Sequence, residues 1–293
     1  MDITLYAILI SLIPAFGWGI GNALQKPIVR AIGATNLIIY RGIIVSLITG
    51  GFLLYNLPSQ KFDLQYILIG SIITLISYFG LFYLNKGLEK GDIGVVIPIS
   101  SSRVIISTLV AITFLNDRLN ALQILCIGVI FIGIIASTIN LRKFRNSDIF
   151  NFQSGIPYAM LAALFWGVGL ALFSIPSAVL GVFLFTFLVE IINLLIAVGH
   201  NIISRKHIDL QILSDKKLFS LTLIMGILNS LASLFAVMGY ATGKVSIVTT
   251  VTSSSPLISI IFGMLFLKEK LKTQQLISGL IIVAGIILLG YFS

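Results

Sequence analysis

The sequence predicts an all-α membrane protein, in which ten transmembrane helices form two inverted five-helix repeats around a central cavity. Three observations predict this fold class: an apolar composition, a regular series of apolar runs, and an internal repeat. Of the 293 residues, 58% are hydrophobic and only 10% are charged, and the mean hydropathy is +1.09. Soluble domains carry about 25% charged residues, so almost nothing of this chain is left for a soluble domain.

The apolar runs have the length of membrane-spanning helices. A helix needs about 20 residues to cross about 30 Å of hydrocarbon at 1.5 Å per residue. The runs are continuous and lack the alternating pattern of a β-barrel strand, which favours helices. The first run lacks a basic flank and a cleavage site, so it is interpreted as a membrane helix and not as a signal peptide. The predicted spans are residues 4–24, 35–56, 65–85, 93–115, 121–140, 155–174, 178–200, 217–240, 245–267 and 274–292.

Lysine and arginine are concentrated in the loops on one side of the predicted bundle. The loops after odd-numbered spans hold 14 of these residues, and the loops after even-numbered spans hold 3. By the positive-inside rule the basic side is cytoplasmic and both termini lie outside, in a multi-pass protein of the plasma membrane. The net charge of +9 is therefore a topology signal. Because the charges are scattered through short loops, no nucleic-acid partner is expected.

An internal repeat divides the chain. Residues 15–24, AFGWGIGNAL, resemble residues 163–172, ALFWGVGLAL, at an offset of 148. Residues 87–123 resemble residues 239–275 at an offset of 152, with glycines, serines and an acidic-basic pair in common. The two predicted units are the first five-helix repeat, 1–147, and the second five-helix repeat, 148–293.

The odd number of helices in each unit makes the repeat inverted. After five crossings, the second unit enters the membrane from the opposite side to the first. The loop charges agree, because equivalent loops of the two units have exchanged their basic residues. Inverted repeats are typical of secondary transporters, which bind their cargo near the bilayer midplane between the two halves. The sequence therefore predicts a small-molecule cargo in a central cavity.

Three charged residues lie well inside predicted spans: Arg41, Arg103 and Glu190. Each costs about 3 kcal/mol in hydrocarbon, so each is expected to face the bundle interior or a wet cavity. Arg103 and Glu190 lie near the centres of their spans, where they are predicted either to contact the cargo or to form a structural ion pair with each other. Arg41 is nearer the end of its span, so it either joins this site or extends to the membrane interface.

Two related polar stripes surround Arg103 and its counterpart. Ser100, Arg103 and Ser107 have the i, i+3, i+7 spacing of one helix face, and Thr252 and Ser255 lie on the equivalent face of the ninth span. The stripes are predicted to face each other across the central axis and to bind cargo. Packing of small residues between helices is the alternative. Pro98 and Pro256 are expected to loosen these two helices and to free the carbonyls of Gly94 and Thr252.

Aromatic and amide side chains complete the candidate binding site. Trp18 and Trp166 are equivalent in the repeat, and either line the cavity or anchor their helices at the membrane interface. Asn22 follows Trp18 by one turn, and Asn193 follows Glu190 on the same helix face. Two further side chains are assigned to the cargo site, those of Asn229 and Tyr78.

The repeated Trp-Gly, Arg41 in the second span, and LFLKEKLKTQQLISGLIIVAGIILL at 265–289 resemble a known family. They resemble the drug/metabolite transporter superfamily in its ten-helix EamA-like branch. The resemblance implies a basket of ten helices with a central substrate cavity, often exporting amino acids or other metabolites, with sugar-uptake relatives. Where copy two has the family's proline, Pro256, copy one has Val104, preceded by Arg103. The resemblance implies that both tails are cytoplasmic, as in many members of this branch. The loop charges predict the opposite orientation.

The functional prediction is a secondary active transporter, an exporter of a small metabolite. An amino acid is the leading cargo, since Arg103 and Glu190 would hold a carboxylate and an ammonium separately. A sugar or polyol transporter of the same fold is the alternative, and a membrane-embedded enzyme or passive channel is the alternative of another class. An enzyme is not expected, and neither is a metal or cofactor, because clustered His, Cys, Asp and Glu are lacking. A coupling proton at Glu190 is conceivable, and a monomer suffices for this function.

Overall fold

The protein is helical throughout the part of the chain described by the computed structural model, which comprises residues 3–91, 93–138, 151–205, 207–267 and 273–292. Those ranges contain no β-strand. The helices are α1 (Ile3–Ile32), α2 (Ala34–Tyr55), α3 (Leu64–Lys90), α4 (Ile93–Ser101), α5 (Arg103–Phe114), α6 (Ala121–Thr138), α7 (Ile156–Leu172), α8 (Ser174–Leu180), α9 (Val182–Ile203), α10 (Gln211–Ser214), α11 (Lys216–Thr242), α12 (Val245–Thr252), α13 (Ser255–Leu267) and α14 (Thr273–Tyr291).

Every predicted span overlies a helix or a pair of consecutive helices, so the prediction of an all-α membrane protein is confirmed. Among the described residues, seven helical segments are long and apolar enough to cross a membrane, and Ala121–Ala136 and Ile277–Tyr291 are shorter apolar segments. The count of ten crossings stays a prediction. The boundary between the predicted units, at residue 147, lies outside the described residues.

The helix boundaries repeat with the offsets seen in the sequence. Both ends of α9 follow those of α2 by 148 residues, and both ends of α11 follow those of α3 by 152. Local chemistry explains the agreement. Gly33 and Gly181 precede α2 and α9 with φ angles of +79° and +83°, which a residue with a side chain rarely adopts. Asp63 and Asp215 accept hydrogen bonds from the first-turn amides of α3 and α11.

The main helix contacts join one half to the other. α1 packs on α11, and α3 packs on α7, so the first helix of each half meets the third helix of the other. α2 packs on α9 and α6 on α14, which are pairs of equivalent helices, while α5 packs on α12, which are different segments of the equivalent spans 93–115 and 245–267. At the level of whole spans, exchanging the two halves therefore regenerates the same set of pairs. This pseudo-two-fold packing is the arrangement that an inverted repeat predicts.

The fourth helix of each half is broken near its middle. α4 ends at Ser101 and α5 begins at Arg103, while α12 ends at Thr252 and α13 begins at Ser255. Pro256 lies in the first turn of α13, where the missing N–H costs no helical hydrogen bond. In the first half the break follows Pro98 by one turn, at Ser102, whose amide is shared between the carbonyls of Pro98 and Ile99.

Apolar side chains cover the outside of the bundle, and many polar side chains are inside. Leu47 and Leu54 on α2 are each 72% exposed, and Leu195 on α9 is 62% exposed. In contrast, Ser100, Thr249 and more than twenty other polar residues are buried. A soluble protein has the opposite distribution, so the outer surface suits lipid.

Candidate functional site

A cavity in the middle of the bundle is lined by both halves of the protein. Lining residues from the two halves are related by the sequence repeat. Trp18 is equivalent to Trp166, Ser77 to Asn229, and Arg103 to Ser255. Most of the side chains predicted to form the site line this cavity. They are Trp18, Asn22, Arg41, Ser100, Arg103, Trp166, Glu190, Asn193, Asn229 and Ser255.

Arg103 is one of two buried arginines that line the cavity. Its side chain begins α5, directly after the helix break, and the residue is only 5% exposed. Its guanidinium carbon lies 5.7 Å from the ring centre of Trp18 and 5.2 Å from that of Trp166, within the range of cation–π attraction. No hydrogen bond or ion pair joins the guanidinium to another described residue, and its Nε atom is buried without a partner.

The position of Trp166 depends on a close helix contact. A Cβ atom at Gly80 of α3 would lie 2.5 Å from Cδ1 of Trp166, so only glycine leaves room for this ring. The neighbouring Gly167 allows α5 to approach α7, because a Cβ there would meet Ile106 at 2.5 Å. These small residues bring α3, α5 and α7 together and hold Trp166 beside Arg103.

Arg41 and Glu190 form a buried ion pair across the centre of the bundle. Arg41 donates from Nη1 to Glu190 Oε2 at 2.7 Å and from Nη2 to Oε1 at 3.1 Å, which is a bidentate geometry. Ser233 of α11 donates to Oε1 at 2.6 Å. Arg41 is 8% exposed and Glu190 2% exposed, so Arg41 does not extend to the membrane interface.

This ion pair decides one alternative that the sequence left open. An ion pair between Arg103 and Glu190 was the alternative to cargo contact, and it is wrong, because the partner of Glu190 is Arg41. The physical reason is the packing of α2 on α9, which are equivalent helices that meet near the pseudo-two-fold axis. Arg41 and Glu190 occupy adjacent repeat positions, so they face each other where these two helices cross.

Amide side chains surround the charged groups. Asn22, Asn193 and Asn229 line the cavity as predicted, and the Oδ1 atom of Asn193 is buried without a hydrogen-bond partner among the described residues. Gln25, at the α1 side of the cavity, donates to Oδ1 of the buried Asn85 on α3. Together these groups offer donors and acceptors to a polar cargo.

Three predicted site residues lie outside the cavity lining. Ser107 bonds with Thr249 at 2.9 Å, and Thr252 donates to the carbonyl of Thr249 at 3.1 Å. Tyr78 bonds with Nδ1 of His200 at 3.0 Å. Ser107 lies one turn beyond Arg103 on α5, where α5 packs on α12 and Ser107 bonds Thr249.

Several cavity residues were not assigned to the site from the sequence. They are Gln25, Ser77, Ser101, Thr186, Ser233 and Tyr240. Polarity inside a predicted span was the available signal for all of them. The repeat gave no support for two of them, because the equivalent residues are apolar: Phe173 for Gln25 and Leu88 for Tyr240.

The described residues contain no group of three or more His, Cys, Asp or Glu side chains that would hold a metal ion. Cys126, the single cysteine, is buried in the apolar face of α6. Its packing there agrees with the expectation of a small buried hydrophobe. The cavity lining itself offers charged groups, amides, hydroxyls and aromatic rings.

The comparison with known families decides the identity of the fold. A model of the EamA-like transporter family matches residues 5–139 and 153–291, which are the two repeats. The chain belongs to the EamA-like transporter family. This EamA-like protein is thus a multi-pass membrane transporter of the drug/metabolite type, and the resemblance carried by the Trp-Gly motifs is confirmed.

Two further similarities agree with the EamA-like architecture. A protein of Methanocaldococcus jannaschii, described only as uncharacterized, is 32% identical over 138 residues, which cover 47% of this chain and 97% of that protein. That relative therefore has about the length of one repeat. A protein of known crystal structure superimposes with a TM-score of 0.80 at 14% identity, covering 97% of this chain and 96% of the other. The second similarity shows a shared fold alone.

Proposed function

We propose that this EamA-like protein is a secondary active transporter that moves a small metabolite across the plasma membrane by alternating access. The observation that carries the proposal is the buried Arg103 in a cavity lined by both halves. A charge that is expensive in a membrane and has no acidic partner among the described residues is expected to serve the transported molecule. Export is the expected direction, and one protein chain contains the complete cavity.

Alternating access is supported by a difference between equivalent contacts. Ser259 of α13 donates to the carbonyl of Gly19 at 2.6 Å. Its counterpart Ser107 does not make the corresponding bond to Gly167 and is bonded to Thr249 instead. The two halves thus adopt different conformations at matched positions. In an inverted-repeat transporter, exchange of such differences converts one state into the other.

In the other conformation of the transporter, in which the two halves have exchanged their conformations, one network of hydrogen bonds cannot form. Thr249 bonds Ser107 at 2.9 Å and donates to the hydroxyl of Tyr240 at 3.4 Å. The equivalents of Thr249 and Tyr240 are Ile97 and Leu88, which have no hydroxyl groups. The network therefore belongs to the state seen here, and it is expected to stabilise that state relative to the exchanged one.

The site favours some cargo classes over others. The amino-acid hypothesis assigned the cargo ammonium to Glu190, but both oxygens of this carboxylate are bonded to Arg41 or Ser233. An amino acid would therefore place its ammonium among amides or over a tryptophan ring. A sugar or polyol is the second candidate, because Asn193, Asn229 and the cavity serines offer hydrogen bonds to hydroxyl groups.

Counterflow in proteoliposomes tests the proposal. Vesicles that hold purified protein are preloaded with one compound from a panel of amino acids, carboxylates, sugars and polyols, and uptake of the same labelled compound is followed. A carrier gives saturable uptake that the preload stimulates, whereas a channel gives neither. Absence of stimulated uptake for every class, in vesicles whose protein is folded, would contradict the proposal. An imposed pH gradient in the same assay tests proton coupling.

A further inference from the structure

We propose that the cargo of this cavity is a small organic monoanion. Its acid group binds Arg103 between Trp18 and Trp166, and its apolar body lies against the apolar residues that the second half contributes to the cavity lining. This inference rests on the proposed transport function and names the chemical class that the site selects. It differs from a zwitterionic cargo, which also carries an ammonium that must be bound, and from a neutral sugar, which needs no cation.

The charged side chains that line the cavity, Arg41, Arg103 and Glu190, carry a net charge of +1. Arg41 and Glu190 neutralise each other in a bidentate pair, and Ser233 supplies a further bond to the carboxylate. Arg103 is the other charged side chain of the lining, and it has no acid within ion-pair distance among the described residues. A buried charge is retained only where a partner compensates it, so an anionic cargo completes this site.

The surroundings of Arg103 fit an anion and not a protein partner. Both tryptophan rings lie within 6 Å of the guanidinium carbon, which orients the flat cation but leaves its charge uncancelled. A guanidinium presents paired N–H donors that match the two oxygens of a carboxylate. Ser100 and Ser255, which line the same region, add hydroxyl donors for further oxygens.

Part of the cavity lining is apolar and comes from the second half. Leu170, Phe173, Val189, Ala236 and Val237 form this part, and three of them replace polar lining residues of the first half. A cargo with an acid group at one end and an apolar body at the other satisfies both Arg103 and these apolar residues. The pairs, first half before second, are Asn22 and Leu170, Gln25 and Phe173, and Arg41 and Val189.

The chain provides its own binding reporter, since its two tryptophans are the residues on either side of Arg103. The full-length protein in detergent is titrated with four compounds of one five-carbon body: pentanoate, pentanamide, pentylamine and norvaline. Tryptophan fluorescence and thermal unfolding report binding, because a ligand of the folded state raises the unfolding temperature. Straight-chain carboxylates from acetate to octanoate then define the size of the apolar body.

Pentanoate is expected to bind at least about tenfold more tightly than pentanamide, and pentylamine is expected not to bind. Arg103→Gln is expected to weaken pentanoate binding by about tenfold or more, and Arg103→Lys by less, because lysine keeps the charge but loses the paired donors. Arg30→Gln is the matched control, since Arg30 is exposed on α1, outside the cavity lining. It should leave the affinity unchanged.

Equal affinity for pentanoate and pentanamide in the unmodified protein would overturn the inference, even if Arg103→Gln fails to fold. So would binding of norvaline tenfold tighter than pentanoate, or the absence of binding by every carboxylate of the series. Counterflow separates this failure from that of the transport proposal. Carboxylate binding without counterflow of any compound contradicts transport, whereas counterflow of a sugar without carboxylate binding contradicts only the monoanion class.

Discussion

The buried ion pair between Arg41 and Glu190 predicts a large loss of stability when one partner is neutralised. Glu190→Gln removes the negative charge from a group that accepts two bonds from Arg41 and one from Ser233. The amide still accepts one of these bonds, but the guanidinium loses its compensating charge inside the bundle. Breaking a buried pair in this way costs about 3–5 kcal/mol of unfolding free energy.

A double-mutant cycle with Arg41→Met and Glu190→Leu isolates the interaction. Each single change leaves one buried charge alone, whereas the double change leaves none, so the double variant is expected to recover most of the loss. The expected coupling energy is about 2–4 kcal/mol. Unfolding of the purified protein in detergent, followed by tryptophan fluorescence, measures it. Glu89→Gln is the matched control, because Glu89 pairs with Lys86 at 2.8 Å on a partly exposed surface, where such pairs contribute about 0–1 kcal/mol.

Two results would refute this reasoning. One is a loss for Glu190→Gln no larger than that for Glu89→Gln, which would mean that the pair does not hold the two halves together. The other is additivity of the Arg41 and Glu190 single changes, with no coupling energy. Glu190 would then be acting on a group other than Arg41, and its assignment to the ion pair would be wrong.

Further predictions concern the hydrogen-bond network and the tryptophan site. Thr249→Val is expected to lower the unfolding free energy by about 1 kcal/mol, because it leaves the buried Ser107 hydroxyl without its partner, while Thr249→Ser keeps most of it. Equal unfolding temperatures for the two variants would contradict this. Gly80→Ala is expected to displace Trp166, shift the fluorescence spectrum and weaken pentanoate binding, because the new methyl group overlaps the ring. Gly51→Ala, where nothing lies within 4 Å of the new methyl, should change neither, and a spectrum unchanged by Gly80→Ala would show that the ring is not held by this contact.

The sequence predicted the helices well because their signals are local. Apolar length, an aspartate before α3 and α11, and a glycine before α2 and α9 all act within a few residues. The repeat added long-range information, since equivalent residues identified Trp18 and Trp166 as a pair. The sequence selected them as candidates, and the structure places both beside Arg103, which the repeat alone did not predict.

The ion pair was beyond sequence reasoning. The partner of Glu190 depends on how α2 crosses α9, and repeat symmetry relates Glu190 to Gly42, which has no charge to suggest a partner. The prolines Pro98 and Pro256 indicated that both fourth helices are weakened, but not the residue at which each one breaks. Ser107 and Tyr78 were assigned to the cavity from spacing or polarity, whereas their bonds to Thr249 and His200 hold helices together.

The most direct test of this account is a structure of the protein with the tightest-binding carboxylate of the series. Arg103 is predicted to donate to the carboxylate oxygens at about 2.7–3.2 Å, between the rings of Trp18 and Trp166, with Arg41 still paired to Glu190. A ligand bound elsewhere in the cavity, with Arg103 not touching it, would contradict the assignment of the cargo site. A ligand whose carboxylate has displaced Glu190 from Arg41 would contradict it equally.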